Sequence, residues 1–158
     1  MPVLTAPVLS LRERRAEDDA FIARLGGEAF SEFSNAAREH TRKMAERLPT
    51  LIALRGAERV GFAVLDPDDG VAELVAIAVV ESERGRGVGR RLLDATERLA
   101  RSRGARRLRL RTAEANLAAV ELFVRAGYRI SRRLPRHYRG VYDALVLVKR
   151  LSRSSRRR

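Results

Sequence analysis

A glycine-rich loop between a predicted strand and a predicted helix constrains the fold of this chain more than any other feature. An apolar segment, residues 74–80, runs into Arg84-Gly85-Arg86-Gly87-Val88-Gly89, and an amphipathic helix is predicted over residues 88–103. Alternating glycines let the backbone approach a ligand closely. Because main-chain N–H groups and the positive end of a helix then converge, the segment predicts an anion site, with the pyrophosphate of a nucleotide-like cofactor as the best candidate.

Two common phosphate-binding motifs do not fit this loop. A P-loop requires Gly-x-x-x-x-Gly-Lys-Ser/Thr, whereas Gly89 is followed by two arginines. A dinucleotide fingerprint requires Gly-x-Gly-x-x-Gly and a carboxylate after the next strand, whereas this chain has Gly-x-Gly-x-Gly and Arg111-Thr112. A tight strand-to-helix turn without a ligand stays open as the structural alternative.

The pattern of hydrophobic residues and turn signals predicts one mixed α+β domain over residues 1–151, followed by a basic disordered tail over residues 152–158. We expect a twisted, mainly antiparallel sheet of about seven strands, flanked by about four helices. Asn35 and Asn116 are the predicted N-caps of the second and fourth helices. The predicted strands are residues 9–12, 50–55, 60–65, 71–80, 108–112, 128–134 and 142–151, and the predicted helices are 17–30, 35–47, 88–103 and 117–126.

Composition excludes several chemistries. The chain of 158 residues contains no cysteine, so disulfides, thiolate nucleophiles and zinc–thiolate sites are excluded. Its two histidines, His40 and His137, are far apart in sequence, and we expect no metal. The longest apolar run is too short to span a bilayer and the N-terminus lacks a signal-peptide pattern, so we expect a cytoplasmic protein without a membrane partner.

The net charge of +13 is a feature that nucleic-acid-binding proteins often share, so nucleic acid has to be considered as a partner. The basic residues are 31 arginines and 2 lysines, a bias that a GC-rich genome would also produce. Most of them fall at positions that face solvent in any fold, so nucleic acid is not the partner we expect.

The loop and its surroundings resemble the GNAT superfamily of N-acetyltransferases. Arg84, Gly87 and Gly89 match the signature Gln/Arg-x-x-Gly-x-Gly/Ala of the acetyl-CoA loop in that family. Residues 73–79 resemble its fourth strand, and residues 107–110 and 116–128 resemble its fifth strand and fourth helix. The resemblance covers about residues 8–151 and is strongest to the RimI-like protein N-acetyltransferases. It implies the GNAT fold and acetyl-CoA as cosubstrate.

The resemblance also implies where acetyl-CoA would bind. The pantetheine arm would pair with the main chain of residues 77–79, as an added strand does. An N–H near Val79 would stabilise the negative charge that develops on the thioester oxygen. Asn116 would both cap its helix and contact the cofactor arm, and Phe123 would lie beside it. The expected cofactor-binding residues are Ile77, Ala78, Val79, Arg84, Gly85, Arg86, Gly87, Val88, Gly89, Arg90, Asn116 and Phe123.

The acid–base residues depart from the family pattern. Glu73 is the candidate base, because it occupies the fourth-strand position of the catalytic glutamate in some members. Strand alternation predicts that it shares a face with Val75, Ile77 and Val79. Phe123 replaces the tyrosine that often acts as general acid, and Arg111 replaces a glutamate of the RimI-like enzymes. Tyr138, predicted in the β6–β7 connection, is the candidate acid. In the alternative interpretation, Glu73 is an ordinary strand-end carboxylate paired with an arginine, and Tyr138 is an ordinary loop aromatic. A CoA thiolate is also a fair leaving group, so a reaction without a dedicated acid stays open.

The expected reaction is transfer of acetyl to a primary amine, either a protein N-terminus or a small molecule, by a monomer or homodimer. In the family the first two helices and the β6–β7 loop form the acceptor site, which implies the substrate-binding residues Phe30, Phe33, His40 and Tyr142. The absence of the two usual catalytic residues also fits a protein of a different functional class. In that alternative the chain is a catalytically degenerate fold that binds CoA or nucleic acid without chemistry.

Overall fold

The protein was studied as a computed structural model, which describes residues 7–152. Within that range the chain forms seven strands and four α-helices around one sheet, which confirms the predicted mixed fold. Residues 153–158 of the predicted tail lie outside the described residues. The elements are β1 (Leu9–Glu13), α1 (Asp19–Phe30), α2 (Ala37–Arg47), β2 (Thr50–Arg55), β3 (Glu58–Asp66), β4 (Val71–Val79), α3 (Val88–Ser102), β5 (Arg107–Ala113), α4 (Leu117–Arg125), β6 (Arg129–Tyr138) and β7 (Tyr142–Arg150).

The order of strands in the sheet is β1-β2-β3-β4-β5-β7-β6. All neighbouring strands are antiparallel except β4 and β5, which are parallel and joined through α3. The β4–β5 ladder extends only from the pair Val71–Arg107 to the pair Leu74–Leu110. Beyond it β4 stays paired with β3 and β5 stays paired with β7. The two strands therefore separate and leave a cleft in the middle of the sheet.

Each face of the sheet has its own hydrophobic core. Helices α3 and α4 cover one face, where Leu92 and Leu93 pack against Leu108. Helices α1 and α2 cover part of the other face, where Phe21 packs with Phe62. None of the helices in the described range is both long and apolar enough to cross a membrane.

A β-bulge in β4 changes which side chains share a face. Leu65 pairs with Leu74, but the next residue of β3, Val64, pairs with Ala76, so Val75 is an extra residue in β4. Before the bulge, Leu74 lies in the core under α3 and α4. After the bulge it is Ile77 that packs against that core, while Ala76 packs on the opposite face.

The bulge overturns the prediction that Glu73 lies on the same face as Ile77 and Val79. Glu73 neighbours Leu74, which faces α3 and α4, so its side chain lies on the α1 and α2 face. Val75 shares the face of Glu73, as predicted, whereas Ile77 and Val79 pack on the opposite face. Simple alternation failed because one extra residue reverses the side-chain direction for the rest of the strand.

Three local predictions had different outcomes. Asn116 caps α4 as predicted, since its side chain accepts a hydrogen bond from the N–H of Ala119 at 3.3 Å. Asn35 does not cap α2, because the N-cap is Ala36 and no side chain bonds to the helix end there. Tyr138 is the last residue of β6 and pairs with Tyr142, so it does not belong to the β6–β7 connection, which is only residues 139–141.

Gly26 allows α1 and α2 to pack closely. It lies inside the helix and faces α2. A Cβ at Gly26 would lie 2.6 Å from Cγ2 of Thr41, so the missing side chain lets the two helices approach closely.

Candidate active site

The cleft between β4 and β5 exposes main-chain groups of β4. The N–H of Val80 donates to the carbonyl of Val60 at 2.9 Å. Since hydrogen-bonded pairs alternate in an antiparallel ladder, the main-chain groups of Ala78 also point towards β3, whereas those of Ile77 and Val79 point into the cleft. The side chain of Ala78 is buried under α1 and α2.

The glycine loop closes one end of this cleft. Gly85 and Gly87 have φ values of 75° and 86°, the left-handed region that favours glycine, and Gly87 is the N-cap of α3. A Cβ at either position would have no atom of the described part of the chain within 4 Å, so the space above the loop is open there. The first N–H groups of α3 have no acceptor within the helix. The loop therefore combines free donors, a helix N-terminus and room for a phosphate group.

Gly89 allows close packing and does not open space above the loop. A Cβ there would lie 3.2 Å from Cδ2 of Leu122 and 3.8 Å from Cγ2 of Val79. The glycine thus lets the first turn of α3 approach both α4 and the end of β4. The N-terminus of α3 is thereby held beside the cleft.

The arginines of the loop form contacts within the protein. Arg86 pairs with Glu83 at 3.2 Å, and Glu83 also pairs with Arg55 at 3.0 Å. The hydrogen bond from Arg55 holds the pKa of the Glu83 carboxyl below its usual value, against the opposing effect of burial. Arg84 Nε donates to the carbonyl of Val79 at 3.4 Å, and Arg90 Nε donates to Asp94 at 3.1 Å. Their contact with a cofactor stays a prediction.

A cavity of about 290 Å³ lies on the α1 and α2 side of the cleft. It is formed by α1, α2, β4, β5 and the end of β6, which are distant in sequence. The structure brings six of the predicted site residues to its wall: Phe30, Phe33, His40, Glu73, Asn116 and Tyr138. Tyr142 lies behind this wall, with its ring centroid 5.2 Å from that of Phe33.

Glu73 is held at the floor of this cavity by two arginines of β5. Its carboxylate lies 3.3 Å from Arg111 Nη2 and 3.8 Å from Arg109 Nη2. The side chain of Glu73 keeps 22% of its surface exposed. Arg111, which replaces an expected glutamate, therefore orients the carboxylate that the cavity does contain.

Tyr138 is placed to keep its proton. Its ring packs against Phe33, with centroids 5.6 Å apart, and against His137, at 4.8 Å. Burial raises the pKa of the Tyr138 hydroxyl; Arg111 acts against this and Glu73 adds to it. Because the pKa lies above its ordinary value, the hydroxyl is protonated at neutral pH and can donate.

A hydrogen bond between residues far apart in the sequence holds the roof of the cavity in place. Arg139, in the β6–β7 turn, has a φ of 53°, and its Nη2 donates to the carbonyl of Ser31 at 2.5 Å. This bond fastens the α1–α2 connection to the hairpin. Phe33 lies between the rings of Tyr138 and Tyr142 and fills the contact.

Phe123 lies in the core and not at the cleft surface. It is 3% exposed, and its ring packs edge-on against Tyr128 with centroids 5.8 Å apart. Its predicted contact with a cofactor is untested.

Sequence reasoning missed several residues of the cavity wall. His137, Thr41, Met44 and Thr112 also line it. The position of His137 depends on an irregularity of β6 between Leu134 and Tyr138, where Arg136 has a φ of 50°. The only available signal was its place next to Tyr138 in the sequence.

Comparison with known families gives one match. Residues 13–128 match the family model described as the acetyltransferase (GNAT) family. No curated protein sequence matches the chain at a significant level.

Solved structures share the whole architecture. Ard1 from Thermoplasma volcanium is 23% identical, with a TM-score of 0.79 over 91% of this chain and 98% of that chain. The ribosomal-protein-alanine N-acetyltransferase from Brucella melitensis is 22% identical, with a TM-score of 0.79 over 90% of this chain and 99% of that chain. Arabidopsis thaliana NAA60 in complex with acetyl-CoA is 18% identical, with a TM-score of 0.78 over 91% and 99% of the two chains. At these identities the likeness shows a common fold.

Proposed function

This chain belongs to the acetyltransferase (GNAT) family, and from that premise we propose that it transfers acetyl from acetyl-CoA to a primary amine by direct attack on the thioester. The observation that carries the proposal is the cleft between β4 and β5. An anion-binding loop closes it on the α3 side, and a cavity holding a carboxylate opens from it on the α1 and α2 side.

The residues present fit acetyl-CoA, which supplies an activated acetyl thioester. The open space above Gly85 and Gly87 fits a pyrophosphate, and the N–H groups of residues 84–90 would hold it. The main chain of Ile77 and Val79 points into the cleft and would pair with an extended arm. Arabidopsis thaliana NAA60, which has the same fold, was solved in complex with acetyl-CoA.

Glu73 would remove the proton of the attacking amine. An α-amine has a pKa of about 8 and a lysine side chain one of about 10, so an α-amine needs less help from a base. Glu73 lies in the cavity that borders the cleft, and Arg109 and Arg111 fix its carboxylate there. The proton of the amine would pass to Glu73 either directly or through one water.

Two further groups would assist. The N–H of Val79 points into the cleft and would stabilise negative charge on the thioester oxygen. Tyr138, whose raised pKa keeps it protonated, would give a proton to the departing thiolate.

We propose a protein N-terminus as the acceptor and a small-molecule amine as the second candidate. We call the cavity that contains Glu73 the acceptor cavity. One structure of the same fold is named a ribosomal-protein-alanine N-acetyltransferase. The low pKa of an α-amine favours the same class.

The test is release of free CoA thiol from acetyl-CoA in the presence of a panel of N-terminal peptides and small amines. We expect turnover with peptides that have a free α-amine and none with the same peptides acetylated. Glu73→Gln should lower kcat by at least about a hundredfold, the usual contribution of a general base.

Glu121→Gln is the matched control, because Glu121 is an exposed carboxylate of α4 paired with Arg125 at 2.7 Å. It removes the same charge outside the cleft and should leave kcat unchanged. If the protein binds acetyl-CoA but releases no thiol with any amine, the alternative of a catalytically degenerate binding fold replaces this proposal.

A further inference from the structure

A second groove lies on the sheet beside the acceptor cavity. It has a volume of about 430 Å³, and every residue that lines it belongs to a strand, β4, β5, β6 or β7. Four arginines form its walls, Arg107, Arg109, Arg111 and Arg132, and Val146 and Val148 contribute to its floor. We call this site the arginine groove.

The strand register explains why these arginines converge. Residues 107, 109 and 111 alternate with Leu108 and Leu110, which are buried under α3 and α4, so the three arginines share the opposite face. On the neighbouring strands, Arg111 and Arg132 both pair with Val146. A valine floor thus lies between arginines of β5 and β6.

Charge in the groove is not balanced. Among the residues that the structure describes, its lining contains no aspartate or glutamate, and Glu73, at its border, pairs with Arg109 and Arg111. Within residues 7–152, Arg107 and Arg132 take part in no ion pair. Guanidinium groups at neighbouring positions repel one another, and an arrangement of this kind is stabilised by an anionic ligand.

The groove is continuous with the acceptor cavity. Arg111 lines both, and it contacts Glu73, the proposed base. An acceptor whose amine lies beside Glu73 can therefore extend its next residues over the face of β5. The stretch from residue 111 to residue 107 is about 13 Å long, which is the length of about four extended residues.

We propose that the arginine groove binds acidic side chains on the residues that follow the reactive amine, so that the acceptor is a protein with an acidic N-terminal segment. The proposal rests on the function proposed above and adds the chemical class of its substrate. Guanidinium groups bind carboxylates with two parallel hydrogen bonds, which gives both affinity and orientation. The valine floor and the short length of the groove fit a peptide better than a nucleic acid backbone, which needs a longer basic track.

The first experiment measures binding without catalysis. Fluorescein-labelled peptides that share one N-terminus are compared by anisotropy, one with glutamates at the positions after the amine and one with glutamines there. We expect the acidic peptide to bind at least about tenfold more tightly at low salt, and this difference to shrink as salt is raised from about 50 to about 300 mM. Equal binding of the two peptides would overturn the proposal.

The second experiment locates the contact. Arg107→Gln/Arg132→Gln removes two charges from the groove and leaves Arg109 and Arg111 on Glu73. Its matched control, Arg98→Gln/Arg103→Gln, removes two exposed charges from α3 and its C-cap, on the other side of the sheet. We expect the groove variant to lose about five- to tenfold in affinity for the acidic peptide, as two partly exposed ion pairs would give, and the control to lose less than about twofold. Equal losses in the two variants would show a general charge effect and reject the groove.

Turnover separates this proposal from the function on which it rests. If the peptides are acetylated, the ratio of kcat/KM for the acidic and neutral peptides should fall in the groove variant and stay constant in the control. If none is acetylated but the groove variant still loses acidic-peptide binding, the proposed function fails and the groove assignment stands. Tighter binding of an unstructured DNA oligonucleotide than of the acidic peptide, lost in the same variant, would replace the peptide by nucleic acid and overturn the proposal.

Discussion

The substitution Asp18→Asn tests how α1, which carries part of the acceptor cavity, is fixed to the sheet. Asp18 precedes α1 and its side chain is completely buried. Its carboxylate accepts two hydrogen bonds from Arg12, at 2.7 and 2.9 Å, and one from Arg59 Nε at 2.7 Å. The main-chain N–H of Arg15 donates a fourth at 2.7 Å. The carboxylate thereby joins β1 and β3 to the start of the helix.

The expected loss follows from the burial of this group. Removing one partner of a buried ion pair costs about 3–5 kcal/mol, because a charge is left without compensation. The side chains of Arg12 and Arg59 are 22% and 35% exposed, so water can partly replace the lost partner. We therefore expect Asp18→Asn to lower the free energy of unfolding by about 3 kcal/mol, the low end of that range.

Urea unfolding at about pH 7 measures this loss. Asp19→Asn is the matched control, because Asp19 is the next residue and pairs with Arg14 at 2.6 Å with both side chains over a fifth exposed. Exposed pairs contribute about 0–1 kcal/mol, so the control should lose no more than that. Equal losses in the two variants would refute the assignment of Asp18 as the main anchor.

The pH dependence provides an independent check. The hydrogen bonds from Arg12 hold the pKa of Asp18 far below its ordinary value, although burial opposes them. A carboxyl with a depressed pKa stabilises the fold above its unfolded pKa of about 3.9, and this contribution is lost as the pH falls towards the folded value. The difference between wild type and Asp18→Asn should be constant above about pH 5 and shrink below about pH 4. A difference that stays constant in acid would contradict this origin.

Three further substitutions test the site and its support. Gly87→Ala places a Cβ in the open space above the loop and should raise KM for acetyl-CoA at least about tenfold, whereas Gly104→Ala, with the same positive φ, should leave it unchanged. Tyr138→Phe should lower kcat about tenfold or more, and an unaltered kcat would show that Tyr138 is not the acid. Since the pKa of Tyr138 is raised, deprotonation of its hydroxyl should not lower the wild-type activity below about pH 10. Tyr128→Phe removes a buried hydrogen bond of 3.0 Å to Glu97 and should cost about 1–3 kcal/mol in thermal unfolding with kcat unchanged; a variant as stable as wild type would contradict this.

The fold could be predicted because its signals are local. The stripe of Val88 and Leu92 in α3, the cap at Asn116 and the turns between β2, β3 and β4 each depend on residues close in sequence. These features are present in the folded structure because the tertiary contacts bury the same side chains that the local hydrophobic pattern indicates.

The bulge at Val75 could not be predicted in the same way. Residues 71–79 are apolar except for Glu73, and both faces of β4 are covered, so either register buries apolar surface. The extra residue is recognised only from its partners, since Val64 pairs with Ala76 while Leu65 pairs with Leu74. A pattern within one strand contains no information about the register of the strand beside it.

The arrangement of the acceptor cavity could not be predicted from the sequence for a different reason. Its walls combine Phe33 of the α1–α2 connection with Tyr138 at the end of β6, and the roof depends on Arg139 reaching the carbonyl of Ser31. These contacts join segments that are about a hundred residues apart, and nothing in either segment specifies the other. The resemblance named several of these residues, but their mutual arrangement came only from the structure.

The bulge has a consequence for the direction of the reaction. Because it reverses β4 after Glu73, the carboxylate faces the α1 and α2 side while Val79 and Ile77 contact the core beneath α3, where the glycine loop lies. If Glu73 is the base, as proposed, the amine would therefore approach the cleft from the face opposite to that of the proposed pyrophosphate site. Without the extra residue at Val75 the two would share one face, and the amine would have to enter through the space that the cofactor fills. In the proposed mechanism, the register shift would thus allow the two substrates to meet from opposite sides in direct attack.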